Sequence, residues 1–274
     1  MTLRECFAEF GMENLLRWIA ESRPPLNFER SLRLQPDTVE VRRCLFSFPT
    51  AALGNSAVDE VLQICRLMSS PEQQLTAIQR FFRGAEHVHF GFECTGDTAI
   101  GKCYLELADS GPAASETARL KFLGYKWSIN DPSVAVVSRY RTLPVKTWAN
   151  VAETMQQQVS ADLRPAMSQL LGEFQPATDG VEAAELNLLE VEEEGSNRRS
   201  YDLNVYAVEH TVADVVQSIR TVAAALHCNM QQLDQWAADN REATVGHVAV
   251  GQNRVGLPFL TIYHSADIKQ LILK

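Results

Sequence analysis

Several short signatures are missing from this chain, and each absence narrows what it does. There is no GxGxxG, no P-loop and no GxSxG, so dinucleotide binding, nucleoside triphosphate binding and α/β-hydrolase chemistry lack their usual residues. The six cysteines (Cys6, Cys44, Cys65, Cys94, Cys103 and Cys228) form no CxxC pair and no zinc-ligand spacing. Most lie within apolar stretches, which reads as buried free thiols in a reducing compartment. No stretch reaches the roughly 18 apolar residues of a membrane-spanning helix. The start, Met1 to Cys6, carries early charge and no long apolar run, unlike a secretory signal. A cytoplasmic protein is expected. Basic charge is also short: 25 Lys and Arg stand against 34 Asp and Glu, a net charge of -9. Such a surface repels nucleic acid and anionic membranes, and any anionic ligand needs cations gathered in a cavity.

What is present is an ordinary globular composition, 46% hydrophobic and 22% charged over 274 residues, with no low-complexity region and no linker. One domain spanning 1–274 is expected. Helical spacing marks 3–20, 56–69, 71–83, 146–160, 162–172, 212–227 and 230–239, with a short closing helix at 266–273. Residues 39–48 read as a strand. Four hairpins follow from strict alternation around turn residues: 86–94 with 100–107, 123–130 with 134–142, 184–192 with 200–208, and 244–251 with 256–264. A loop is expected at 174–183. The order repeats as helices, then two antiparallel strands, and the recurrence outweighs any single element.

Alternate strand residues face opposite sides of a sheet. In 86–94 the apolar set Val88, Phe90, Phe92 and Cys94 opposes His87, His89, Gly91 and Glu93. In 100–107, Cys103, Leu105 and Leu107 oppose Lys102, Tyr104 and Glu106; in 200–208, Leu203 and Val205 oppose Asp202, Asn204 and Tyr206. Amphipathic helices cover the apolar faces. The polar faces then point into bulk water if the sheet is open, or into a lumen if it closes. Their composition favours a lumen: Lys102, Lys126, Arg139 and Arg141 are interleaved with Tyr104, Tyr206 and Tyr263, beside His89 and His247. Cations with aromatics suit an anion that bears an apolar group.

This α+β plan resembles the ABBA aromatic prenyltransferases. The resemblance implies an antiparallel closed β-barrel of about ten strands from repeated αββα units, with helices outside. The likeness is best at 244–264, a hairpin ending in Tyr263-His264, with Ser265-Ala266-Asp267 leading onward. The resemblance implies transfer of a prenyl group from a prenyl diphosphate to an aromatic acceptor, either a small molecule (phenolic or indole-like) or a peptide side chain. It also implies no required cofactor, leaving Mg2+ as an option. The absence of a DDxxD run argues against the helical prenyl synthase mechanism. Under this reading Lys102, Lys126, Arg139 and Arg141 bind diphosphate. Tyr104, Tyr206 and Tyr263 shield the allylic cation, with Asn204 and His247 in the acceptor pocket. Glu93 is the first candidate for proton acceptor, followed by Glu106 and His89.

Two other readings stand beside it. One is a non-catalytic barrel that binds a small anionic or aromatic ligand, or a biosynthetic partner. The other is a metal enzyme using His87, His89 and Glu93, whose spacing puts all three on one strand face.

Overall fold

The computed structural model describes residues 2–21, 26–108, 118–145, 147–175, 187–268 and 271. Helices α1 (Leu3–Glu9) and α2 (Glu13–Glu21) precede strands β1 (Asn27–Gln35), β2 (Thr38–Glu40) and β3 (Arg43–Pro49). Then come α3 (Ala57–Leu67), α4 (Glu72–Phe81), β4 (Ala85–Thr95), β5 (Thr98–Leu107), β6 (Arg119–Ser128) and β7 (Ala135–Thr142). The second half holds α5 (Trp148–Gln156), α6 (Arg164–Glu173), β8 (Leu188–Glu193), β9 (Arg199–Asn204), α7 (Val212–Ala225), α8 (Met230–Asp239), β10 (Val245–Gln252) and β11 (Pro258–Ser265).

Four departures from the sequence reading have local causes. The helix expected over 3–20 is two helices, broken where Gly11 takes a φ of 68° and Met12 N–H bonds back to the Phe7 carbonyl at 2.8 Å. The strand expected at 39–48 is split into β2 and β3. Strand β1 was not expected as such. The third hairpin's second strand stops at Asn204, and Tyr206–Val208 form one 3-10 turn. Residues 176–183 of the expected loop, 184–186 of that hairpin, Lys146, and 269, 270, 272 and 273 of the closing helix lie outside the described residues.

The strands pair antiparallel in the order β11-β10-β9-β8-β7-β6-β5-β4-β3-β1, and β1 pairs again with β11 from Glu29↔Ser265 to Leu34↔Leu260. Ten strands therefore close into a barrel, with β2 continuing the β3 side of β1. The apolar outer face meets the helices in two clusters. Phe46, Phe90, Phe92 and Trp127 pack under α1 to α4, with Phe7 and Phe92 ring centroids 4.5 Å apart. Trp127 donates its indole N–H to the Met68 carbonyl at 2.7 Å, tying β6 to the end of α3. Leu32, Leu203, Val248 and Leu260 pack under α5 to α8. Each large side chain buried this way contributes roughly 1.5–3 kcal/mol, so the helices hold the barrel from outside and its interior is free to be polar.

Candidate active site

Because side chains alternate, every second residue of each strand enters the lumen, and register sets its height. Down β1 these are Glu29, Ser31 and Arg33; their neighbours on β11 are Ser265, Tyr263 and Thr261. On β4 and β5, His89 lies beside Tyr104, and Gly91 beside Lys102. Lys102 faces Lys126 across β5 and β6. The hairpin turns all gather at one end, called the lower end here. Arg33, Arg43, Lys102, Lys126 and Arg198 lie towards that end, and Glu29, His89, Glu106 and His247 towards the other.

Two cavities occupy the lumen. The upper, about 660 Å3, is lined by Glu29, Leu45, His89, Phe122, Tyr206 and His247 among others. The lower, about 370 Å3, is lined by Arg33, Lys126, Glu193, Arg198, Phe259 and Thr261 among others. Both are bounded by Tyr104, Tyr140 and Tyr263, together with Arg43, Glu93 and Lys102. Tyr104 and Tyr140 meet edge to face at 5.6 Å. Burial holds all three phenols protonated, that of Tyr263 pushed up to about 12.

The charges sort into separate groups. Glu93 lies between Arg43 and Lys102 and is ion-paired to both. Burial alone would raise its pKa, but Arg43, then Lys102, outweigh this and hold it well below the usual carboxylate range. Lys102 is lowered to about 8, chiefly by burial. Glu193 is held by Arg198 at 3.2 Å and Arg254 at 2.6 Å. Among the described residues, Arg33 and Lys126 have no carboxylate at ion-pair distance. The Arg33 guanidinium lies instead 3.8 Å from the Phe259 ring centroid. Lys126 is lowered well below the ordinary lysine range by burial and then by Arg198 and Lys102.

In the upper half, His89 Nε2 meets Glu106 at 3.0 Å and His247 Nδ1 meets Asp202 at 2.7 Å. Burial would lower His247, but Asp202 outweighs it and raises the imidazole to about 9. Glu106 is brought down to about 2 by His89 and Lys121 against the effect of burial. The Tyr206 hydroxyl donates to Glu29.

The expected residues thus divide. Lys102, Lys126, Tyr104, Tyr263, Glu93, His89 and His247 line the lumen. Tyr206 reaches it from the 3-10 turn, where its N–H is held by Asn204 Oδ1 at 3.1 Å. Glu106 sits near the upper rim. Arg139 and Arg141 are corrected: they project from the outer face, ion-paired to Glu194 and Glu192. The inward residue of β7 is Tyr140, which pairs with Phe122 while Arg139 pairs with Leu123. Glu93 is a counter-ion rather than a ready proton acceptor. His87, His89 and Glu93 do not converge, and the described residues contain no metal-type cluster of His, Cys, Asp and Glu. Glu29, Arg33, Arg43, Tyr140 and Arg198 went unnoticed in the sequence. The signal for the first two was the alternation Phe28, Leu32, Leu34 against Glu29, Ser31, Arg33.

No protein-family model matches the sequence, and no curated protein matches it. Solved structures do share its fold. The 5-dimethylallyltryptophan synthase from Streptomyces coelicolor superposes with a TM-score of 0.68 at 12% identity, covering 97% of this chain and 95% of its own. The same synthase in complex with DMASPP and Trp gives 0.63 at 13%, covering 97% and 93%. The prenyltransferase PriB gives 0.61 at 14%, covering 89% and 80%. The fold of this chain is therefore the prenyltransferase barrel, and the expectation of a closed barrel with helices outside holds.

Proposed function

We propose that this chain is an enzyme that transfers a prenyl group from a prenyl diphosphate to an aromatic acceptor inside the barrel. The observation that carries this reading is the axial order of the lumen: cations below, a tyrosine collar at mid-height, and histidines and carboxylates above. The neighbouring folds named dimethylallyltryptophan synthase and prenyltransferase support the same chemistry, and an indole-like acceptor before a phenolic or peptide one. The six free, buried thiols support a cytoplasmic location.

The lower cavity takes the diphosphate. Arg33, Arg43, Lys102, Lys126 and Arg198 compensate the charge that grows on the leaving group as the allylic C–O bond breaks and its electron pair departs with diphosphate. The carboxylates there, Glu40, Glu93, Glu193 and Asp202, are already paired with Arg43, Lys102, Arg198, Arg254 or His247, so neutralisation is assigned to the side chains and not to Mg2+. The allylic cation forms at the collar, where the faces of Tyr104, Tyr140 and Tyr263 stabilise it and exclude water. The acceptor ring in the upper cavity attacks the cation, and the ring proton is then lost to a base.

Three upper groups are candidates for that base. His247, raised to about 9, already carries its proton at neutral pH. Glu29 faces the cavity with a tyrosine hydroxyl as its hydrogen-bond donor and, among the described residues, no ion pair. We assign Glu29 as proton acceptor, with His89, oriented by Glu106, as the second candidate.

The test is calorimetric binding of a non-hydrolysable dimethylallyl thiolodiphosphate to the parent, Lys126→Ala and Arg139→Ala, followed by turnover with indole and phenol acceptors. Binding lost in Lys126→Ala and kept in Arg139→Ala, which alters only the outer face, is expected. No binding by the parent at any prenyl length would remove this reading. Turnover is expected to persist in EDTA.

A further inference from the structure

The upper cavity holds one charged group that the transfer chemistry leaves unused. His247 projects inward from β10 between the rings of Tyr206 and Tyr263, edge to face with them at 5.8 and 6.0 Å. Asp202 on β9 takes its Nδ1–H at 2.7 Å. The side chain lines the cavity, and among the described residues its Nε2 has no hydrogen-bond partner. The groups that face it are the carboxylates of Asp202, Glu29 and Glu106 and the rings of Tyr206 and Tyr263. Asp202 first, then the other two carboxylates, hold it protonated at neutral pH against the effect of burial. An imidazolium donates from both nitrogens. One donor is taken by Asp202, and the other is left for whatever fills the cavity. The charges around that donor limit what can. Arg43 and Lys102, the Lys and Arg residues lining this cavity among the described residues, are tied to Glu93 at the collar and serve the diphosphate below. His247 is itself compensated by Asp202. Glu29 has no cation at ion-pair distance among the described residues, and the tyrosine that donates to it also packs on His247. A carboxylate entering here meets an unpaired carboxylate and no unmatched cation, so its desolvation goes uncompensated. An amide carbonyl meets a charge-assisted donor and brings no charge to bury. The volume of about 660 Å3 is that of sites enclosing a drug-sized ligand, which leaves room for a side chain beyond the aromatic ring.

We propose that His247 is the specificity-determining residue for the acceptor: its Nε2–H takes the oxygen of an uncharged amide on the side chain of an indole, while Glu29 turns away the same side chain when it ends in a carboxylate. This rests on the prenyl-transfer reading and narrows it, from an indole-like acceptor to one whose carboxyl group is already in amide linkage. Asp202 is a positioning residue, which fixes the ring and keeps the second nitrogen protonated. A reaction that forms an amide from the acceptor's carboxyl group must then precede prenyl transfer.

The experiment uses the full chain saturated with the dimethylallyl thiolodiphosphate and titrated in the calorimeter with N-acetyltryptophanamide, N-acetyltryptophan and indole. The first two differ only in an amide against a carboxylate. The parent is expected to bind the amide at least roughly tenfold more tightly than the carboxylate, the low end for a hydrogen bond to a charged group, and more tightly than indole. His247→Leu should lose roughly ten- to hundredfold of its affinity for the amide relative to indole, the full range for such a bond. His247→Gln, whose side-chain N–H can donate, should recover part of it. Glu29→Gln should narrow the gap from the other side, by admitting the carboxylate. A pH profile of the parent separates this role from a structural one and needs no variant. The amide and indole are both uncharged throughout, so the ratio of their affinities reports the protein alone. That ratio should fall as pH rises through about 9, where His247 gives up its second proton. In Asp202→Asn the imidazole loses the carboxylate that raises it, and the ratio should fall at a lower pH. A ratio unmoved by pH in the parent, or a carboxylate bound as tightly as the amide, would overturn the inference and leave the prenyl diphosphate reading intact. A parent that binds the thiolodiphosphate and none of the three acceptors would overturn it too, and one that does not bind the thiolodiphosphate would overturn both.

Discussion

At the scale of single residues, the informative contrast is between Glu93 and Glu29, two carboxylates of one lumen. Glu93 is fixed by Arg43 and Lys102, and removing it leaves two buried cations uncompensated. Glu93→Gln should therefore destabilise the fold by about 3–5 kcal/mol, the cost of breaking a buried pair, measured by chemical denaturation. Its native charge contributes stability that is present at neutral pH and lost as pH falls below the ordinary carboxylate range. Glu29→Gln should behave in the opposite way. Stability and thiolodiphosphate binding should hold, while kcat falls by roughly 10²–10⁴, the usual worth of a general base. Lys102 adds a pH dependence of two signs. Its folded pKa of about 8 lies below the unfolded value of about 10.4. Between those values the unfolded chain holds more protons, so stability rises with pH. The ammonium needed for the anion is lost in the same window, so diphosphate affinity should fall above about pH 8.

At the scale of elements, the site is made by strands whose neighbours leave room for large side chains. A Cβ on Gly124 of β6 would sit 2.8 Å from the Tyr104 ring and 3.1 Å from that of Tyr140. Gly124→Ala should displace the collar and admit water to the allylic cation. The expected signature is a higher ratio of free prenyl alcohol to prenylated acceptor, read by chromatography, with diphosphate binding retained. A Cβ on Gly246 of β10 would lie 2.3 Å from the Tyr206 ring, so Gly246→Ala should expel the tyrosine that holds Glu29 and lower kcat in the manner of Glu29→Gln. Such dependencies also explain how far the sequence could be read. The hairpins were legible because their apolar sets alternate without interruption, as Val88, Phe90, Phe92 and Cys94 do, and this placed Lys102, Tyr104, Lys126 and Tyr263 inside. β1 was not, because Arg30 breaks its apolar set, bonding outward to the Val41 carbonyl at 3.3 Å. Arg139 and Arg141 misled for a related reason. Neither face of β7 is cleanly apolar, so only its register against β6 shows that Tyr140 points inward, while the outer arginines find partners in the glutamate-rich end of β8 and the turn after it.

At the scale of the whole molecule, the barrel joins two halves with separate cores. The wall bearing Arg33 and Thr261 is backed by Leu32, Leu34, Leu260 and Ile262 in the cluster under α5 to α8. Lys126 projects from a wall backed by Leu123, Tyr125 and Trp127 in the cluster under α1 to α4. Neither half can close its sheet alone: β1, with Phe28 in one cluster and Leu32 and Leu34 in the other, joins β3 to β11 on one side, and β7 pairs with β8 on the other. Unfolding should therefore be one cooperative transition despite two cores, with fluorescence and circular dichroism giving coincident curves. A diphosphate gripped from both walls ties the halves together. At a free concentration near 100 times Kd it should stabilise the fold by about 2.7 kcal/mol, and both probes should shift upward together. A shift confined to one probe would mean that the anion sits on one wall only and that the two halves melt separately. Lys126 is depressed by burial and by neighbouring cations; a bound anion raises it again, so at a pH between its free and bound values binding takes up a proton. Calorimetry in two buffers of different ionisation enthalpy should then give binding enthalpies that differ with the sign of proton uptake, and Lys126→Ala should reduce that difference.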